Sequence, residues 1–422
     1  MAGLFQTLHH AFTVQGLRRL LPPVAAALPA VNSLVPNRLL YVAASCRPYH
    51  ISGYTSRTHE LLCALQAVGA DLRVITRAGY PWDRTDSLDV QGGESTMVGA
   101  VQYEHVRRPR NNCFTAIYAA RAAKVIVRYA RQHRVVRIHA ASNHVNALPA
   151  LIAARRLGLP FQYEMRGLWE LTRAARQPEF ENSYNYNLGL ELEGLVATEA
   201  DRVFVISEQL GLYAQQQWGI SAERMRLLPN CVDGERIKPD PACEVMADTI
   251  GYAGSLINYE GLDTLIEALH MLLRQGKGVR LHIIGDGEAR PALEAQVNAL
   301  SLQNYVRFFG KTTPEEARAH ILRCALVCIP RKAFTVCKVV PPIKLVEALA
   351  LGKPVIVPDL PVFRDEAAAG AIFFAPGDAA DLARVLADTL GAPPCLDALG
   401  QAGRQQVLAR RQWEYFVGDL LS

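Results

Sequence analysis

The sequence predicts an α/β protein made of two doubly wound parallel-sheet domains. Three observations carry that prediction. Short apolar runs of strand length alternate with longer runs of helical period from residue 38 onward. The alternation pauses once, in the polar, proline-bearing stretch 230–248, and then restarts. A chain of 422 residues is long enough for two domains that each bury a core.

In the first half, NRLLYVAAS reads as a buried strand, THELLCALQAVG as a helix closed by Gly69, and DLRVITR as the next strand. TAIYAARAAKVIVRYARQH has the period and length of a long helix. VVRIHAAS, PFQYEMRG, ADRVFVIS and RMRLLPNCVD follow as strand segments, with the helix ALPALIAARRLG ending at Gly158. The second half begins near Thr249 with the strand TIGYAGSL and the helix GLDTLIEALHMLLRQG. It continues through VRLHIIGDG, RPALEAQVNAL, ALVCIPR, PVIVPD and AIFFAP. TTPEEARAHIL carries a helix start: Thr313 caps, Pro314 takes the first helical position and Glu316 reaches back. The predicted organisation is a basic N-terminal extension over 1–37, a first domain over 38–235, a second over 236–400 and a terminal amphipathic helix over 401–422. Such sheets bind ligands at the carboxyl ends of their strands.

Composition narrows the classes. Half the residues are hydrophobic and 20% are charged, which argues against disorder. A net charge of +5 permits an anionic ligand but does not describe a surface that coats nucleic acid. The nine cysteines are scattered without a Cys-x-x-Cys pair, which points to reduced thiols in a cytoplasmic protein and away from zinc or a disulfide framework. No acid precedes Glu60. Residues 3–21 therefore admit two readings: a basic amphipathic helix making peripheral contact with an anionic membrane face, or an extension packed on the first domain. Pro22, Pro23 and Pro29 break the apolar run that follows, so it cannot cross a bilayer as a regular helix.

The chemistry concentrates in IPRKAFTVCKVVPPIKLVEALALGKPVIVPDLPVFRDE. Arg331, Lys332, Lys338 and Lys344 gather there, and no Asp or Glu occurs between Glu316 and Glu347. A positive field at a loop-to-helix junction suits a diphosphate, because backbone N–H groups and the helix dipole point at the anion. Pro341 and Pro342 carry no N–H, so Ile343, Lys344 and Leu345 are the candidate donors. Glu347, one turn further in, is placed to accept from a ribose diol. Asp-x-Asp, the usual carboxylate pair for a metal-bridged diphosphate, is absent from the chain. Protein cations and N–H groups are then expected to stabilise the leaving diphosphate, with no metal or other cofactor.

Taken together, SGYTSRTHELLCAL, YEMRGLWE, ADRVFVISEQL, LPNCVD, IGYAGSLINYEGLDTLIEAL, LHIIGDGEARPALEA and PPIKLVEALALGKPVIVPD resemble the retaining glycosyltransferases of the GT-B fold, family 4. The resemblance implies two facing Rossmann-like domains, the first for the acceptor and the second for a sugar nucleotide, with the last helix crossing back to the first domain. It implies transfer from a nucleoside-diphosphate sugar, built on UDP or GDP, to a hydroxyl acceptor such as a lipid-linked glycan, in surface polysaccharide or glycolipid assembly. Glu347 matches the second glutamate of the family's Glu-x7-Glu signature, whereas Val339 stands at the first. Ser255 and Glu260 fall where the family commonly has cations, so Arg331, Lys332, Lys338 or Lys344 is expected to supply that charge.

Further candidates follow from the same resemblance. Gly53, in the Ser52-Gly53-Tyr54 loop, and Gly285, after LHII, would border the donor. His139 and Arg166 would face the reacting centre beside Lys344, and Trp169 would stack on a sugar ring. Each also has a structural reading: a tight turn at Gly53, a satisfied core imidazole at His139, an Arg166–Glu170 pair ordering its loop. The Glu191/Glu199 pair repeats the signature spacing on a first-half helix and reads as a solvated or interdomain face. Val339 favours a non-catalytic homologue as the alternative. An incomplete glycine fingerprint at Gly285-Asp286-Gly287 argues against a dehydrogenase.

Overall fold

Strands buried on both faces must be covered by helices on both sides, and that requirement organises the chain. The computed structural model describes residues 2–21, 37–84, 93–367 and 369–422. In the first domain the strands are β1 (Arg38–Ala43), β2 (Asp71–Thr76), β3 (Ser95–Val98), β4 (Val101–Glu104), β5 (Arg137–Ala141), β6 (Phe161–Met165), β7 (Arg202–Val205) and β8 (Met225–Leu227). They form one sheet in the order β3-β4-β2-β1-β5-β6-β7-β8. All pairings are parallel except the β3–β4 hairpin at the edge.

The second sheet contains β9 (Met246–Ala253), β10 (Arg280–Ile284), β11 (Val306–Gly310), β12 (Cys324–Cys328), β13 (Val355–Pro358) and β14 (Ala371–Phe374). Its order is β11-β10-β9-β12-β13-β14, parallel throughout. Each sheet reverses its strand order once, between β1 and β5 and between β9 and β12. Crevices for ligands open at such reversals.

Alternation along β1 divides the first core. Leu40 and Val42 pack into the large cluster shared with helices Thr115–His133 and His144–Leu157. Leu39 and Tyr41 face the other way, towards Leu61, Leu65 and Trp413. Trp413 precedes the last helix, Glu414–Leu421, which lies on the first domain and ties its Leu420 carbonyl to Arg137. The helix before it, Pro393–Arg410, stays with the second domain against Ile343–Ala350. The crossing therefore occurs at residues 411–413, and only the final helix of the expected 401–422 element belongs to the first domain.

The N-terminal segment is helical from Ala2 to Leu20, with a wider π turn over Ala11–Gln15. Val14 and Leu17 bury into the first domain. His9 Nδ1 lies 2.6 Å from Tyr184 Oη, and His10 pairs with Glu191 at 2.5 Å. The packed extension is thus what forms. Leu8 and Phe12 are left exposed on its outer side. The remainder of the expected 1–37 extension, residues 1 and 22–36, lies outside the described residues. Among the described residues no helix is long and apolar enough to cross a membrane.

Candidate active site

Helix Ile343–Ala350 begins straight after Pro341-Pro342, whose missing N–H groups and fixed φ mark its start. This start faces helix Gly53–Ala67 of the first domain, which Ser52 and Thr55 open with a capping box. A Cβ on Gly53 would sit 3.3 Å from Ile343 Cγ2, so the domains meet at this point. Ser207 Oγ donates to the Val339 carbonyl at 2.5 Å and Asn230 Nδ2 to the Pro341 carbonyl at 3.1 Å, fixing the loop from the other domain.

A cavity of about 480 Å³ lies in this cleft. Gly53, Arg166, Ser255, Arg331, Ile343, Lys344 and Glu347 all border it. They converge because β9 and β12 end at the strand-order reversal: Ser255 follows the first and Arg331 the second. Lys344 Nζ donates to Tyr252 Oη and to Glu260 Oε2, both at 2.7 Å. Arg331 grips the other carboxylate oxygen of Glu260 at 2.8 and 3.1 Å. Burial alone pushes the Glu260 carboxyl up, but Arg331 and Lys344 outweigh it and hold it at about 2. Burial moves Lys344 down from the usual lysine range, with Glu260 opposing. Two cations share one carboxylate, and the cluster keeps one net positive charge towards the cavity.

Glu347 differs. Burial, and then the carboxylate of Glu60 across the cleft, push it up to about 7. Leu345 N–H is already taken by the Pro342 carbonyl at 3.1 Å, and its side chain is buried. Ile343 and Lys344 remain as first-turn N–H groups with no carbonyl one turn back inside the helix.

A second cavity of about 460 Å³ opens on the first domain and shares Ser52, Tyr54, Arg166 and Val340 with the first. Arg166 sits at the junction. Its guanidinium donates to Glu164 Oε2 at 2.7 Å and Thr58 Oγ1 at 2.6 Å, and lies over the Tyr54 ring at 4.5 Å. Its buried Nε has no partner. The loop-ordering partner is Glu164, not Glu170. Burial pushes the Glu164 carboxyl up, yet Arg166 and Arg57 outweigh it and hold it well below the usual range. Trp169 stands half exposed on this cavity's wall, with Arg173 over its ring at 5.2 Å.

Other expected residues lie elsewhere. His139 is fully buried in β5, its Nδ1 3.2 Å from Gln162 Oε1 and its Nε2 3.3 Å from Glu164 Oε2, stacked on Tyr41. It borders neither cavity and touches the site through Glu164 and through Tyr41, whose hydroxyl accepts from Arg166 at 2.5 Å. Gly285 follows β10, one strand away from the reversal. A Cβ there would fall 1.9 Å from the Gly254 carbonyl, so this glycine lets two strand ends approach. Val339 is buried among apolar side chains and offers the cleft no carboxylate. Glu191 and Glu199 pair with His10 and Arg155 in the first domain, far along the chain from any phosphate-binding feature.

Glu260, Tyr252 and Glu164 organise the site, and none was singled out from the sequence for that role. The only available signal was Glu260 standing where a cation was expected. Among the described residues one group could hold a metal: His144, Glu170 and Glu193, whose donor atoms lie within 4.8 Å of one another. It is inside the first domain, away from the cations. Glu193 is already engaged by the His144 N–H and by Tyr163. Burial, and then Glu193, push Glu170 up to about 7.

Two family descriptions match the chain in succession: a glycosyl transferase 4-like domain over residues 52–231 and glycosyl transferases group 1 over residues 234–406. A D-inositol 3-phosphate glycosyltransferase of Segniliparus rotundus is 23% identical over 95% of this chain and 92% of its own length. Among solved structures, sucrose-phosphate synthase from Thermosynechococcus elongatus superposes with a TM-score of 0.75 at 17% identity, covering 91% of this chain and 97% of that one. HepE of Anabaena, solved with UDP and glucose, gives 0.67 at 18% identity, over 90% and 97% of the two chains.

Proposed function

Since the chain belongs to the group 1 glycosyltransferases of the GT-B fold, and is an enzyme that uses a nucleotide sugar, we propose how its own residues carry the transfer. The donor diphosphate lies over the start of helix Ile343–Ala350. Lys344 and Arg331 face its charge, and the N–H groups of Ile343 and Lys344 donate to its oxygens. Glu347 accepts from the ribose hydroxyls. The observation that carries this reading is the convergence of Arg331 and Lys344 on one cavity at the strand-order reversal. HepE was solved with UDP-glucose, which supports a nucleoside-diphosphate sugar here.

The sugar then sits at the junction of the two cavities, beside Arg166. The acceptor hydroxyl arrives from the first-domain cavity, past Trp169 and Ser142. In this proposal the leaving phosphate takes the acceptor proton on the same face, and the anomeric configuration is retained. Two cations and helix N–H groups meet the developing charge, so no metal ion is required. Closure of the two domains excludes water and limits hydrolysis.

We further propose a cytoplasmic enzyme of glycolipid or surface polysaccharide assembly, in peripheral contact with a membrane. Exposed Leu8 and Phe12, with exposed Phe114 against Phe12 and exposed Arg18 and Arg19 later in the same helical segment, support that contact. A melting panel with UDP, GDP, ADP and dTDP, each with and without EDTA, tests the donor half. A ligand at about a hundred times its Kd stabilises the fold by roughly 2.7 kcal/mol. One nucleotide should shift the midpoint regardless of EDTA, and proton NMR of the product should show the donor's anomeric configuration. A shift that needs divalent cation, or an inverted product, refutes the respective part.

A further inference from the structure

The amino ends of the second sheet carry a feature that the donor cleft, at its carboxyl ends, does not use. A cavity of about 670 Å³ opens at the edge of that sheet, between β10, β11 and helix Pro314–Leu322. Arg280 and His282 enter it from β10, Arg307 from β11, and His320 and Arg323 from the helix and the residue that ends it. Phe309 forms the floor that holds them. Its ring lies 4.1 Å from the ring of His320 and 5.0 Å from that of His282, and the Arg307 guanidinium stacks over it at 4.7 Å.

The charge balance there is one-sided. None of the lining residues is an acid. Arg280 reaches Asp248 at 3.4 Å, but among the described residues neither Arg307 nor Arg323 forms an ion pair. His282 Nδ1 is buried without a hydrogen-bond partner. Burial, and then the surrounding arginines, hold both imidazoles below the usual histidine range. Arg307, Arg323, His282 and His320 all line the one cavity. An ordinary solvated basic face is convex and interspersed with acids. This one is concave, has no acid in its lining and is floored by an aromatic ring. Asp248, paired to Arg280, and Glu316, near His320, stand outside the lining.

We propose that this cavity is a second anion site, taking a phosphate monoester or diphosphate group and distinct from the donor cleft. Guanidinium groups match phosphate oxygens in pairs. An anion there also offsets the arginine charge and lets the imidazoles carry protons that burial and the arginines now disfavour. The phosphate has two sources, a free phosphorylated metabolite or the headgroup of an anionic lipid, and the chemistry at the cavity is the same.

The test is calorimetric titration of the full chain with inorganic pyrophosphate at low salt, beside sedimentation with vesicles containing phosphatidic acid, whose headgroup is a phosphate monoester. Three proteins are compared: the unaltered chain, Arg307→Ala/Arg323→Ala and Lys344→Ala. Both arginines are exposed, and an unchanged circular dichroism spectrum and melting point verify folding. The double variant should lose at least about tenfold in pyrophosphate affinity, and Lys344→Ala should keep this binding event. Vesicle binding lost in the same double variant assigns the phosphate to a lipid headgroup. Vesicle binding absent or unchanged assigns it to a soluble ligand. Pyrophosphate affinity unaltered by the double substitution, or removed only by Lys344→Ala, overturns the proposal.

Discussion

Replacing Glu260 by Gln should weaken the free protein while sharpening its response to nucleotide. Glu260 is buried, and it is the shared counter-charge of Arg331 and Lys344. Its carboxyl is held at about 2 rather than 4.5, which corresponds to about 3 kcal/mol of preference for the ionised form in the folded state. Because the folded value is depressed, this stability is present above the unfolded carboxyl range, near pH 4.3, and is lost as pH falls through about 2. The amide keeps the shape but leaves two buried cations facing each other, and breaking a buried ion pair costs about 3–5 kcal/mol. For a domain of this size that lowers the melting point by about 6–20 °C. A bound diphosphate restores the missing negative charge, so the nucleotide-induced rise in Tm should be larger in Glu260→Gln than in the unaltered protein. Differential scanning fluorimetry with and without the nucleotide reads both quantities. An unchanged Tm, or a smaller nucleotide shift, would show that Glu260 is not what holds the cations in the cleft.

Two other outcomes follow from the same geometry. Glu347 titrates near 7 and accepts from ribose best when ionised, so nucleotide affinity should climb as pH rises through 7 and then level off. Glu347→Gln should flatten that profile in Kd measurements from pH 6 to 8; an unchanged inflection would point to another group. His139→Ala should cost about 2–4 kcal/mol of stability by opening a buried space, with nucleotide Kd unchanged. A large loss of kcat at full stability would instead return His139 to the reacting centre.

Much of the fold was legible because parallel strands buried on two faces read as continuous apolar runs. The long helix Thr115–His133 matches the segment read for it at both ends, and the Thr313–Pro314–Glu316 helix start is formed as expected. Helix Gly53–Ala67 starts five residues before the segment read for it, since its opening turn is polar and is set by Ser52 capping rather than by an apolar period. The edge hairpin β3–β4 went unread because four-residue strands with exposed alternate positions carry little hydrophobic signal.

The site was legible as a collection of cations, not as a circuit. Glu260 lies 71 residues from Arg331 and 84 from Lys344, and nothing local in the chain says that one carboxylate will hold both. The same applies to Arg166. Its sequence neighbour Glu170 looked like the partner, but strand alternation puts Glu164 on the same face of β6 and turns Glu170 into the helix that follows.

The return of helix Glu414–Leu421 to the first domain changes what connects the two halves. The polypeptide passes between them twice, around Val232 and at residues 411–413, and the passages touch: Val232 N–H donates to the Arg411 carbonyl at 2.9 Å. A single tether would let the donor half swivel in any direction. Two tethers side by side act like a door hung on a short pin, leaving bending about one axis and suppressing twist. A closure of the proposed kind would then bring Ile343 back against Gly53 in the same alignment. A protease cut at the second passage would free the lobes to rotate without removing any residue that touches substrate.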